Sequence, residues 1–287
     1  MLKQRVITAL VLLAVFLPAL FSAQTEPFMA LTLLLISAGG WEWGRLNGSS
    51  ARGALGGALL CALAGVAAVQ MGWAQQAPVA LWAAVGGVWV LLGVWMIRAG
   101  VGGWPQAPRR LRWRGGLALL VVAWLAMAQA RARGVNFLLS VLTLVWAADI
   151  AAYFAGRAWG GRFVKAKLAP AISPGKTWEG AIGGLLGVLV LGLAWTALDA
   201  RLGADWGASL HTVLWQRGAG LALLAWAFLT AMSIVGDLVE SLVKRSAGVK
   251  DSSGLLPGHG GVLDRVDALL PTLPLALMLV SWMEVSA

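Results

Sequence analysis

Charge is what this sequence has little of. Only 12% of its 287 residues are Asp, Glu, Lys or Arg, about half the share carried by soluble domains. Hydrophobic residues make up 60% and the mean hydropathy is +0.80. A water-soluble globule is therefore excluded, and repeated apolar runs of about 20 residues point to a chain that crosses a membrane several times. There is a single cysteine, Cys61, inside the apolar run GALLCALAGV. It cannot form an internal disulfide, so nothing argues for an oxidising compartment. No fixed-period repeat is visible, and no loop is long enough for a soluble domain. The formal charge of +10 suggests nucleic acid at first sight. The basic residues lie in short loops, however, with no basic–aromatic surface to hold a duplex. No nucleic-acid partner is expected; the bilayer and its anionic headgroups are the better match.

The fold class expected is all-α and polytopic, with about nine spans near residues 5–23, 28–46, 54–73, 78–98, 115–131, 136–157, 180–199, 214–243 and 266–285. The first run has a leader-like start (Lys3, Arg5) and a weak cleavage pattern at Phe21-Ser22-Ala23. It is read as a span, being long enough to cross and followed by others. With the N-terminus in the cytoplasm, 18 of the 22 basic residues face inward, and only Arg131, Arg133, Arg201 and Arg217 face out. That asymmetry sets the orientation expected, in the cell's inner (plasma) membrane. Residues 1–135 are expected to form a scaffold of membrane helices, including contacts of a homodimer, and 136–287 the catalytic helices with their cytoplasmic loops. Loop 99–114 reads as a basic amphipathic connector at the headgroups. The spacings Gly180/Gly184 and Gly183/Gly187 predict close helix packing.

The twelve acidic residues divide by position. Glu26, Asp199, Asp205 and Glu284 fall at outer ends, and Glu42 near an inner helix end. Asp149, Asp237, Glu240, Asp264 and Asp267 lie within or at the inner mouths of spans, where a carboxylate needs a polar cavity or a partner. Ser233, Asp237, Glu240, Ser241 and Lys244 step by three or four along one helix face. Asp264 and Asp267, three apart, share another. Salt bridges with Lys244, Arg245 and Arg265 are the plain explanation for any one of them. Together they outline an oxygen-rich site for a hard cation and a phosphate. For Asp149, pairing with Tyr153 or Arg157 is the ordinary alternative.

The loop GVKDSSGLLPGHGGVLDRVD (248–267) joins these carboxylates. Gly254, Gly258, Gly260 and Gly261 allow tight turns and bare N–H groups toward an anion. Lys244, Arg245, Lys250 and Arg265 supply positive charge. His259 is open to three readings: phosphate contact, acid–base group, or turn support. The second inner loop ends in Ser173-Pro174-Gly175-Lys176-Thr177. Ser-Pro-Gly reads as a turn, Thr177 as a helix start, and Lys176 beside free N–H groups as a second anion site.

These residues resemble a known family. Ser241-Leu242-Val243-Lys244-Arg245, then Lys250-Asp251, then Leu256-Pro257-Gly258-His259-Gly260-Gly261-Val262-Leu263-Asp264-Arg265-Val266-Asp267 is similar to the signature of the phosphatidate cytidylyltransferases, also called CDP-diacylglycerol synthases. Segments 149–156 and 173–180 resemble the same family, so the motif likeness covers about the last half of the chain. The resemblance implies transfer of CMP from CTP to phosphatidic acid, with Mg²⁺ required and a paired-cation centre in which K⁺ is the second ion. By match to the motif, Asp237 and Asp264 are the metal carboxylates and, with Lys250 and His259, the catalytic set. Ser173, Lys176, Thr177, Ser241, Lys244, Arg245, Asp251, Gly260, Gly261, Arg265 and Asp267 contact substrate.

Two other classes compete. A CTP-dependent polyprenol or phytol kinase would share the phosphate chemistry but not the complete KD…HGG…DR..D pattern. An ion-coupled transporter would place acidic residues at mid-membrane in two matching halves. Here they gather at the inner ends of one half.

Overall fold

A computed structural model describes residues 2–203 and 207–285; Asp205 lies outside the described residues. Among the described residues eleven α-helices run in chain order: α1 (Leu2–Phe21), α2 (Glu26–Leu46), α3 (Ala51–Gln70), α4 (Val79–Gly103), α5 (Arg109–Arg133), α6 (Val135–Trp159), α7 (Trp178–Leu202), α8 (Leu210–Gln216), α9 (Ala219–Ser246), α10 (Leu263–Val266) and α11 (Leu269–Val285). Among the described residues, eight helical segments are long and apolar enough to cross a membrane, so the polytopic helical class holds. Of the nine spans expected, the one near 28–46 is the exception. It forms α2, but its second half (Gly-Gly-Trp-Glu-Trp-Gly) lowers its hydropathy. The expected 214–243 span is also redrawn: Gly218, at φ 125°, separates the short α8 from α9.

Two further expectations are corrected. The connector expected at 99–114 is much shorter, because α4 runs to Gly103, a 3₁₀ turn covers Trp104–Gln106, and α5 begins at Arg109. Ser173-Pro174-Gly175 is not a turn but part of strand β2 (Ser173–Thr177), antiparallel to β1 (Lys167–Ala169). Thr177 does start a helix, as expected: its Oγ1 accepts the Gly180 N–H at 3.0 Å, satisfying one orphan donor of α7.

Small residues set the helix spacing. A Cβ at Gly180 or Gly184 would press on the Ala152 and Ala148 carbonyls, and one at Gly183 or Gly187 on the Ala155 and Ala151 methyls. The α6–α7 contact is thus as close as the sequence spacing predicts. Tryptophans fill the wider gaps. Trp82 and Trp226 are fully buried, and Trp124 donates from Nε1 to the Met29 carbonyl at 3.2 Å. The segment from α10 through α11 is the most buried of the eight spans and α1 the least.

Contacts sort the loops onto two ends. At one end Thr8 donates to the Pro257 carbonyl, Arg109 to Asn47 and Gly48, and Ser246 to Val101. At the other, Arg131 donates to the Leu20 and Ser22 carbonyls, Arg133 pairs with Glu284, and Asn136 donates to Asp199. His211 is also at this end, buried between Trp195 and Trp226.

Candidate active site

Between α6, the β-hairpin, α7 and α9 lies a cavity of about 450 Å³, lined by Asp149, Tyr153, Arg157, Lys176, Thr177 and Asp237 together with small and apolar residues. Strand β2 carries Lys176 across to α9, where its Nζ sits 2.5 Å from Asp237 Oδ2. Asp237 Oδ1 accepts from Ser241 at 3.2 Å, one turn on. Asp149 on α6 and Asp267 at the α10–α11 break both feel the charge of Asp237. Three carboxylates from separate elements thus share one field, with Lys176 the cation among them. Arg157 does not neutralise Asp149; it donates to the Tyr153 hydroxyl at 3.0 Å.

A second polar cluster lies where the signature loop leaves and rejoins the bundle. Lys244 Nζ stands 2.5 Å from both Glu240 Oε2 and Asp264 Oδ1, all three side chains being nearly enclosed. Asp264 Oδ2 accepts from the Ser252 N–H, the Ser252 hydroxyl and the Gly261 N–H. An ionised carboxylate offers about four acceptor sites, so those of Asp264 are spoken for in this conformation. Asp237 keeps spare capacity. Asp264 shares Lys244 with Glu240, while Asp237 is held by Lys176. Among the described residues, no three of His, Cys, Asp and Glu converge closely enough to hold a metal ion by themselves.

The remaining signature residues build the loop. Leu256 and His259 are bonded backbone to backbone, as are Leu256 and Gly260, so the Pro257–Gly258 tip is a tight hairpin. Arg265 donates twice to the His259 carbonyl, and Arg245 to the Val249 carbonyl. Of the three cations in the plain salt-bridge explanation, Lys244 does pair with the carboxylates, while the two arginines do not. Lys250 and Asp251 are exposed at the loop's start, His259 is half-buried, and Ser173 opens β2, half-buried.

Two buried glutamates organise these loops. Glu179 accepts the N–H groups of Gly161, Phe163 and Val164 at 2.9–3.1 Å, folding the segment before the hairpin onto α7. Glu42, on α2, has no exposed surface. It accepts from Ser252 and Ser253 hydroxyls and from the Val262 and Leu263 N–H groups. Sequence reading placed Glu42 loosely at the interface and gave Glu179 no role. The available signal was a glutamate flanked by tryptophans in an apolar run, which marks a functional position by its cost alone.

The match to a known family is broader than the motifs suggested. Residues 3–283 match the model of the cytidylyltransferase family. The chain belongs to the cytidylyltransferase family. A phosphatidate cytidylyltransferase of Pseudomonas aeruginosa is 41% identical over 280 residues, covering 96% of this chain and 95% of that protein. The likeness therefore includes the first half, which the motifs alone had left as generic spans. A phosphatidate cytidylyltransferase of Haemophilus influenzae is 49% identical over 142 residues, 49% of this chain and 44% of that one. One of Staphylococcus saprophyticus is 37% identical over 159 residues, 55% and 54% of the two chains. Cytidylyltransferase chemistry suits the cavity: displacement at phosphorus asks mainly for alignment and charge neutralisation, and Lys176 set against Asp237 on the cavity wall can serve both.

Proposed function

We infer that this chain is a phosphatidate cytidylyltransferase, a nucleotidyltransferase that moves CMP from CTP to phosphatidic acid. A phosphate oxygen of phosphatidate bonds to the α-phosphorus of CTP, the bond from that phosphorus to the β-phosphate bridge breaks, and pyrophosphate leaves with the electron pair. The observation that carries the reading is the family likeness over nearly the whole chain. The polar cavity among membrane helices supports it. One substrate stays in lipid and the other is a soluble triphosphate, so the site must meet both phases.

The second pKa of a phosphomonoester is about 6, so the nucleophile is already largely ionised and needs no base. Lys176 and Lys244 offset phosphate charge, and Gly260 and Gly261 bring backbone close to it. Lys250, Asp251 and Arg265 border the triphosphate, with Ser173 and Thr177 at the lipid phosphate. His259 supports the loop tip that faces the nucleotide. Mg²⁺ is the cofactor proposed, with K⁺ as a second cation; carboxylate oxygens are its natural ligands, and it keeps waters and substrate phosphates in its shell. Asp237 fits this role, having free acceptor capacity, with Asp267 alongside. Asp264 fits once one of its four donors is given up. The ion would neutralise charge on the phosphates.

The basic end is taken to face the cytoplasm, in the inner membrane, and the assembly to be a homodimer. The test is direct: purified protein with labelled CTP, phosphatidate and titrated Mg²⁺ should release CDP-diacylglycerol and pyrophosphate in equal amounts. Phosphorylation of a free prenol, or ion uptake into proteoliposomes without nucleotide, would replace this reading with the kinase or the transporter.

A further inference from the structure

The neck of the signature loop is closed by two carboxylates from opposite halves of the chain. One is Asp264, within the loop's own exit helix. The other is Glu42, 210 residues before Ser252 in sequence and packed wholly inside the protein. Glu42 takes hydrogen bonds from both strands of the neck: the hydroxyls of Ser252 (3.2 Å) and Ser253 (2.5 Å) on the way out, and the N–H groups of Val262 (2.9 Å) and Leu263 (2.8 Å) on the return. Among the described residues no cation pairs with it. A buried carboxylate is costly unless fully hydrogen-bonded, so four donors aimed at it mean that the loop folds around this charge. Ser252 Oγ is shared with Asp264 Oδ2 at 2.8 Å, joining the two anchors. A Cβ on Gly261 would strike Ser252 Oγ and Glu42 Oε1, so any side chain there must push the two anchors apart.

We propose that Glu42 is a positioning residue: it fixes the neck of the loop and thereby the placement of Asp264 and the Gly260–Gly261 backbone toward the nucleotide phosphates. The proposal rests on the cytidylyltransferase reading for its kinetic consequence but not for its structural one. Glutamine at position 42 puts an NH₂ group where an acceptor is needed; the serine hydroxyl on that side can turn to accept from it, but the backbone N–H of Val262 or Leu263 is left unanswered. Aspartate keeps the charge on a shorter arm.

The experiment compares wild type, Glu42→Gln and Glu42→Asp in detergent by hydrogen–deuterium exchange and by turnover of CTP and phosphatidate. In Glu42→Gln, amides of residues 252–263 should exchange about tenfold faster or more, while those of α6 and α9 keep wild-type protection. Turnover should fall about 10- to 100-fold, as loss of an outer partner does, with KM for CTP raised and KM for phosphatidate unmoved. Glu42→Asp should recover part of the loss. Wild-type loop protection and kinetics in Glu42→Gln would overturn the proposal, and so would equal rises in both KM values. If Glu42→Gln loses protection in every helix, the paired change Ser252→Ala with Ser253→Ala carries the same test: loosened 252–263 amides uphold the proposal, and unchanged ones refute it. If wild type turns over no CTP, the functional reading fails while the exchange comparison still decides what Glu42 does.

Discussion

Replacing Lys244 with methionine tests the polar cluster most severely. Lys244 Nζ lies 2.5 Å from carboxylates of both Glu240 and Asp264, and the three side chains are 11%, 6% and 6% exposed. Methionine matches the aliphatic stem, so packing is largely kept and the perturbation is the loss of one charge between two. Breaking a buried ion pair from one side costs about 3–5 kcal/mol, because the partner is left as an uncompensated charge. Here two partners are stranded, which puts Lys244→Met at or above the upper end of that range. Glu240→Gln removes only one carboxylate and leaves Lys244 with Asp264, so it should cost about 1–2 kcal/mol. The double variant should be less damaged than the sum by about 1–3 kcal/mol, the usual coupling of residues in one network. Reversible unfolding in mixed micelles by SDS titration measures all four states. A loss below about 1 kcal/mol for Lys244→Met, or strict additivity in the cycle, would show that the two carboxylates do not depend on this lysine and would refute the reasoning.

Other outcomes follow from the same geometry. Lys176→Met should leave the fold intact but raise KM for CTP and cut turnover by about 10²-fold, the scale of one lost charge-stabilising contact; a variant with wild-type kinetics would remove Lys176 from the site. Gly261→Ala forces a methyl between Ser252 and Glu42, an overpacking of about 1–3 kcal/mol. It should loosen the loop and lower turnover without unfolding the helices, as read by exchange and assay. Burial pushes the His211 imidazole down from 6.5 to about 4, with Asp199 opposing. An unfolded histidine takes its proton first as the pH drops, so stability is complete above 6.5 and declines toward pH 4, by roughly 3 kcal/mol in all. His211→Gln should flatten that part of the unfolding-versus-pH curve, and an unchanged slope would assign the acid sensitivity elsewhere.

Much of the architecture was legible because membrane helices write themselves as long apolar runs, and small residues at i and i+4 announce close packing. Gly180, Gly184, Gly183 and Gly187 proved to be seated on α6 as their spacing said. Thr177 and Lys176 were legible too, one as a cap and the other as a cation at a helix start. Pairing was not. Nothing local in the sequence says that Lys176 will meet Asp237, 61 positions on, or that Asp264 will be occupied by Lys244 rather than by Arg265. The strand at Ser173–Thr177 was missed because Ser-Pro-Gly has turn chemistry, and only its partner strand at Lys167–Ala169 makes it extended. Glu42 was undervalued for a similar reason: its four donors come from the far end of the chain, and helix periodicity cannot show what a side chain reaches across the bundle.

Helix α1 touches the signature loop through Thr8 and through the stem of Arg5, which lies against Gly258. Glu284, near the other terminus, pairs with Arg133 at the opposite pole of the molecule. A disturbance of the first turns of α1 would therefore be felt in the signature loop, whereas one around Glu284 would act at the far pole, away from that loop.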